Sequence, residues 1–207
     1  LVDFPPGEDK NDQATIPAKV IDSLFNEEGF KSYGNNGSVH DFYYEISSGK
    51  LNYTNIVVGY MRVSNPKEYY NNIEGGAQIL LEEALQMVDE SGFDFSQLSV
   101  NTWWGVSRIK AINLLYAGAP EAGWAEGLWP HMGWYGGFEA DGVKSGSYQM
   151  TNIGSTPTIG TICHENGHMI CGYPDLYDYD YDSAGTGGYC LMSSSSGLNP
   201  MVPNAYF

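Results

Sequence analysis

His164-Glu165-Asn166-Gly167-His168-Met169-Ile170-Cys171-Gly172-Tyr173-Pro174-Asp175 decides how this chain is read. The surrounding sequence predicts a helix from Thr158 to Cys171. Ser155 or Thr156 can cap it, Pro157 suits its first turn, and Gly172 followed by Pro174 stops it. Ile159, Ile162, Cys163, Met169 and Ile170 give it apolar surface to bury. On such a helix His164 and His168 share one face, with about 5–6 Å between Cβ atoms, a spacing that suits two ligands of one tetrahedral zinc. Glu165 falls beside the metal and need not bind it. A third ligand has to come from beyond the helix. Gly172 suits a left-handed cap that turns the chain so that Asp175 can approach, with Asp178 as the competing carboxylate. Zinc so held lowers the pKa of a bound water to about 7 while a neighbouring glutamate accepts its proton, which is the chemistry of metal-assisted hydrolysis. The bland alternative is an amphipathic helix with stray histidines, but this segment uses two of only 4 His in the chain.

Outward from that segment, 207 residues give room for one sizeable domain or two small subdomains. A composition 42% hydrophobic and 14% aromatic, with only 16% charged residues, folds. Nine Lys and Arg against 25 Asp and Glu leave a net charge of −16, which repels nucleic-acid phosphates and anionic lipid. No stretch approaches the roughly 18 apolar residues of a membrane-spanning helix, so membrane insertion is not expected. The acidic, Tyr- and Gly-rich composition fits a secreted, extracellular protein whose carboxylates also suit calcium. Leu1-Val2-Asp3-Phe4-Pro5 has no initiator Met, so residue 1 is not expected to be the natural start. Cys163, Cys171 and Cys190 allow at most one bridge, with Cys171 to Cys190 the expected pair.

Patterning places a short strand at Leu1 to Phe4, then a surface loop to about Ala14. Ser38 to Ile46 has helical spacing, with Val39, Phe42, Tyr43 and Ile46 on one side. Leu51 to Val63 reads as one strand or two, and Ile73 to Ser91 as a helix burying Ile79, Leu80, Met87 and Val88. Ala111 to Tyr116, Gly127 to Gly136 and Ser147 to Ile153 read as strands.

Other signals carry two readings. Asp178, Asp180 and Asp182 alternate with tyrosines and would share one side of an extended segment, able to hold calcium; a solvated acidic loop is the alternative. Trp103, Trp104, Trp124, Trp129 and Trp134 could line a peptide or sugar groove, although core and subdomain packing is the preferred reading. His131 is expected to be structural, with substrate contact as the alternative, and Ser193 to Ser196 to be a flexible loop.

The active-site segment with Leu176-Tyr177-Asp178 resembles the immune inhibitor A group of secreted bacterial metallopeptidases, of the metzincin type that uses HExxHxxGxxD and a later Met-turn. Leu1-Val2-Asp3-Phe4-Pro5, Gly37-Ser38-Val39-His40-Asp41-Phe42-Tyr43, Tyr116-Ala117-Gly118, Trp129-Pro130-His131 and Gly188-Tyr189-Cys190-Leu191-Met192-Ser193 match as well. The resemblance implies an α/β (α+β) zincin-like domain over residues 1–207. Its upper part, to about 172, is a twisted mixed sheet with helices; its lower part, from about 173 to 207, is smaller and irregular. It also implies zinc on His164, His168 and Asp175, Glu165 as general base, Met192 as an apolar floor beneath the metal, and an extracellular endopeptidase acting on proteins. A catalytically weak, zinc-stabilised adhesion module using its tryptophans is the rival. More polypeptide is expected after Phe207. The sequence departs from the pattern at Cys171, which holds the usual glycine position, so that glycine and acidic ligand each arrive one residue late. One extra residue rotates a helix by about 100°, so a bulge or a different cap must absorb it. A second departure is Val100 to Ser107, where relatives often carry an acidic Asp-Gly-rich loop. The sequence leaves oligomeric state open.

Overall fold

The computed structural model describes residues 1–207 except Glu121, Ala122, Trp124, Tyr181, Ser195, Ser196, Tyr206, Phe207 and the side chain of Lys10. Among the described residues the helices are α1 (Ala18–Asn26), α2 (Val39–Ile46), α3 (Lys67–Asn72), α4 (Gly76–Glu90) and α5 (Gly160–Asn166). The last runs on into a π-helical turn, Gly167–Cys171. The strands are β1 (Val2–Asp3), β2 (Met61–Arg62), β3 (Val100–Trp103), β4 (Val106–Ile109), β5 (Ile112–Ala117), β6 (His131–Trp134), β7 (Glu139–Ala140), β8 (Val143–Lys144) and β9 (Ser147–Ile153). The fold is mixed α/β, in two compact units: Leu1–Thr15 with Val58–Ser155, and Ile16–Val57 with Thr156–Phe207.

The first unit holds both sheets. One has strand order β2-β1-β5-β9-β6 and is parallel except for β6, which runs antiparallel to β9 at the edge. Leu114, Leu115 and Tyr116 of β5, and Tyr148 and Met150 of β9, are buried, the near-continuous apolar run expected of central parallel strands. The second sheet has order β3-β4-β8-β7. Helix α4 buries Leu80, Leu81, Ala84 and Leu85, with Ile79, Met87 and Val88 partly buried beside them. It can start only at a glycine, because a Cβ on Gly76 would lie 1.8 Å from the carbonyl oxygen of Tyr70.

Several expectations are corrected here. The surface loop before Ala14 contains a buried residue, Asp12, ion-paired with the equally buried Lys67 of α3. Within Leu51 to Val63 only Met61–Arg62 is a strand. The Asn26 side chain donates to the carbonyl of Asn55 at 2.9 Å and accepts from its amide at 2.8 Å, doing for that backbone what a neighbouring strand would do. Strand β6 covers only the last part of Gly127 to Gly136. Helices α1 and α3 and the β3–β4 hairpin are further elements, and the hairpin occupies the segment where an acidic loop was in question.

The second unit is helical and irregular. Helix α2 begins with a capping box: Ser38 Oγ accepts from the Asp41 amide at 3.1 Å, and Asp41 Oδ2 accepts from the Ser38 amide at 2.9 Å. Val39 and Tyr43 are its buried side chains.

Candidate metal centre

The helix that carries the histidines is anchored by side chains remote in sequence but within the same unit. It starts at Gly160, later than the sequence suggests, and neither Ser155 nor Thr156 caps it; Ile159 holds the N-cap position. The capping acceptor is Asn35, buried, whose Oδ1 accepts from the Ile159 amide at 3.1 Å while its Nδ2 donates to the carbonyls of Pro157 and Ser32. Tyr43 Oη donates to the Cys163 carbonyl at 2.6 Å. Buried Asn166 donates to the Ile162 carbonyl at 2.9 Å and accepts from Tyr53 Oη at 2.8 Å. Asn35→Ala strands the buried Ile159 amide and the buried Pro157 carbonyl, so it is expected to cost about 2 kcal/mol of stability. Chemical denaturation of both proteins checks it, and equal midpoints would show that Asn35 does not hold the helix.

The residue that puts Gly172 one place late is absorbed in the backbone. Gly167–Cys171 is π-helical, and the Gly172 amide reaches back to the carbonyls of Gly167 and His168. Gly172 itself adopts φ +70°, the left-handed cap that glycine accepts without penalty. A π turn spends one more residue per turn than an α turn, and such turns gather at functional sites. After it the chain doubles back and brings Asp175 to the histidines.

His164 Nε2 and His168 Nε2 lie 3.1 Å apart, and Asp175 Oδ1 lies 3.1 Å from the first and 3.2 Å from the second. The other ring nitrogens are committed: His164 Nδ1 is 2.9 Å from the Leu191 carbonyl and His168 Nδ1 is 2.6 Å from that of Tyr173. A carbonyl can only accept, so both Nδ1 atoms carry the hydrogen and both Nε2 atoms of the neutral rings present lone pairs. Three lone-pair atoms therefore face one another, and Asp175 Oδ1 is buried with no hydrogen-bond donor directed at it. Such a triangle is repulsive unless a cation or protons stand within it.

Burial disfavours charge on all three groups, but the hydrogen bonds that protonated imidazoles would make to Asp175 outweigh it. Asp175, together with the backbone carbonyls, lifts both histidines above their ordinary value, and Glu165 adds to the effect. Conversely the two imidazoles and Tyr179 hold the Asp175 carboxyl far below the usual carboxylate range.

The donor set fits zinc. Ligands about 2.0–2.2 Å from a tetrahedral zinc stand roughly 3.3–3.6 Å from each other, within a few tenths of an ångström of the spacings here. Among the described residues the cluster holds two imidazoles and one carboxylate and no fourth protein ligand, so a tetrahedral zinc held by it would keep one position open. Each imidazole also has the outer hydrogen bond that fixes ligand orientation in metal sites.

Tyr177 and Tyr179 are part of this arrangement and were read from sequence only as spacers between aspartates. Their hydroxyls donate to Asp175 Oδ2 at 3.0 and 2.8 Å, leaving Oδ1 as the oxygen that faces the histidines. A Pro-Asp-x-Tyr-x-Tyr run after a glycine cap is the pattern that could have revealed it. Glu165 is buried next to His164. Met192 is fully buried, and its sulfur lies 3.0 Å from where a Cβ on Gly167 would stand, so a larger residue there would press on the methionine. The Met192 carbonyl accepts from the Leu176 amide at 2.6 Å, joining the turn that carries Asp175 to the Cys190–Ser193 segment.

Comparison of the chain with protein-family models and with curated proteins found no match.

Asp178 lies outside the triangle. It clusters with Asp180 and Asp182 near the surface, and its Oδ2 accepts from the Ser183 amide at 2.8 Å. The expected Cys171–Cys190 bridge is absent: all three cysteines are free, Cys190 being buried while half-buried Cys171 turns to the Tyr173 side chain. His131 has both ring nitrogens engaged, by the Trp129 carbonyl and by Tyr148 Oη, and its ring stacks on Trp129. Packing accounts for Trp129, but Trp103, Trp104 and Trp134 are exposed. Trp124, Tyr181, Ser195 and Ser196 lie outside the described residues. Of the serine run, Ser193 is buried, its amide bonded to the Cys190 carbonyl.

Proposed function

We propose that this chain is a zinc-dependent endopeptidase that hydrolyses peptide bonds of protein substrates outside the cell, as members of the immune inhibitor A group do. The observation that carries the reading is the convergence of His164 Nε2, His168 Nε2 and Asp175 Oδ1 at 3.1–3.2 Å with both Nδ1 atoms tied to carbonyls.

His164, His168 and Asp175 would hold the zinc, and bound there it supplies Lewis acidity toward a water and a substrate carbonyl. The remaining work belongs to the chain. Leu191 and Tyr173 orient the imidazoles through their carbonyls, and Tyr177 and Tyr179 hold Asp175 by one oxygen. Glu165 is the one carboxylate of the HExxH segment and is not in the ligand triangle. It takes the proton from the attacking water and returns it to the departing amine. Its burial keeps the proton transfer away from bulk solvent.

The reading is tested by metal content and activity together. Purified protein is expected to carry one zinc per chain, to degrade casein, to lose that activity to 1,10-phenanthroline and to regain it on adding zinc. Full activity in metal-free protein would refute the proposal.

A further inference from the structure

The β3–β4 hairpin of the first unit carries a second feature, independent of the metal. Trp103 pairs with Val106, so Trp104 and Gly105 form a two-residue loop, and both have positive φ, +53° and +76°. That is the sign pattern of a type I′ turn, whose first position ordinarily holds Asn, Asp or Gly. A bulky residue there costs of order 1 kcal/mol or more, a strain that tends to persist where it serves a function. The strained ring is not repaid by packing, since Trp104 is 89% exposed and its neighbour Trp103 76%.

The side chains around the tip divide cleanly. Cross-strand register puts Asn101, Trp103, Val106 and Arg108 on one face of the hairpin, and the opposite face turns Ile109 and Val100 to the core. On the outer face Arg108 lies 5.1 Å from the ring centre of Trp134, itself 61% exposed, and donates to the Ser145 carbonyl. The neighbouring strand adds Lys144, paired with Glu139. From Phe95 through Pro120 the sequence contains no Asp or Glu but does contain Arg108 and Lys110, in a chain of net charge −16. The hairpin is thus an acid-free, aromatic projection on an otherwise strongly anionic protein.

We infer that this hairpin docks the protein peripherally on a zwitterionic phospholipid surface, by lodging Trp103 and Trp104 at the headgroup level. Indole rings favour that level because one edge is polar and the rest apolar. A choline headgroup supplies a quaternary ammonium for the ring faces. Both exposed rings belong to the end of the hairpin, Trp103 closing its strand and Trp104 opening the two-residue loop, a narrow tip that suits entry into a fluid surface better than stacking along a sugar chain. The net charge keeps strongly anionic membranes unfavourable.

Two variants test it. Trp104→Asn installs the favoured Asn-Gly turn, so its melting temperature is expected to equal or exceed the parent's. The same variant should bind phosphatidylcholine vesicles about tenfold more weakly, and Trp103→Thr with Trp104→Asn weaker still, because each ring withdraws apolar area from water. Cosedimentation and the blue shift of tryptophan emission on vesicle addition are the readouts. Three outcomes would overturn the inference: a parent protein that does not bind the vesicles, variants that bind as well as the parent, or tryptophan-dependent capture by insoluble chitin or peptidoglycan in place of vesicles.

Discussion

Glu165→Gln is expected to lower casein hydrolysis by about a thousandfold or more while leaving zinc content and melting temperature close to those of the parent. The amide has nearly the shape of the carboxylate but cannot take a proton from water. Glu165 is outside the triangle made by His164, His168 and Asp175, so the metal ligands are untouched. The substitution therefore separates two kinds of loss. A variant that loses zinc along with activity would make Glu165 a structural partner of the histidines. A variant of undiminished activity would remove it from the mechanism altogether. The adhesion-module alternative makes a third pattern: neither parent nor variant cleaves, and zinc stabilises both. That reading gives no reason for a carboxylate beside His164, since a structural zinc needs no base.

How much of this was legible in the sequence depended on how locally each feature is determined. The histidine pair, the left-handed Gly172 and the return of Asp175 were readable because each rests on a spacing of a few residues. Even the misfit at Cys171 was readable as a misfit; what the sequence left open was whether a bulge or a cap resolved it, and the π turn with a glycine cap does so. The helix start was not readable. Its capping group is Asn35, far away in the chain, and nothing near residue 159 signals it. Leu51 to Val63 looked like strand for a related reason. Its Tyr, Ile and Val content suits a sheet, yet Asn26 took the hydrogen bonds of Asn55 and Tyr53 was drawn to Asn166. The exposed tryptophans show the same limit from the other side, because burial is a property of what comes to cover a ring. Tyr177 and Tyr179 were hidden by a more obvious pattern, the alternation of aspartates between them.

Zinc is expected to raise the melting temperature by roughly 10 °C at pH 8 when present at about a thousand times its dissociation constant, and by almost nothing near pH 5. The sign follows from the protons that compete for the same three atoms. In the metal-free protein the histidines have raised pKa values, so their contribution to stability is complete below the unfolded value of about 6.5 and is lost as pH rises through the folded ones. Asp175 is depressed, so its contribution is present above about 3.8 and is lost only as pH falls through its folded value. The metal-free cluster is consequently most stabilising between about pH 4 and 6.5, where the imidazoles are protonated and the carboxylate is not. Zinc requires neutral imidazoles, and its binding must expel those protons. Its stabilisation therefore grows as pH climbs past the raised histidine values, just where the metal-free protein is losing its own. Thermal melts with and without zinc between pH 5 and 8 should diverge with rising pH. Asp175→Asn should shrink the divergence, because a neutral amide is a poor ligand and no longer lifts the histidines. A zinc-induced shift that is the same at pH 5 and pH 8 would mean that the metal binds elsewhere than among these three side chains.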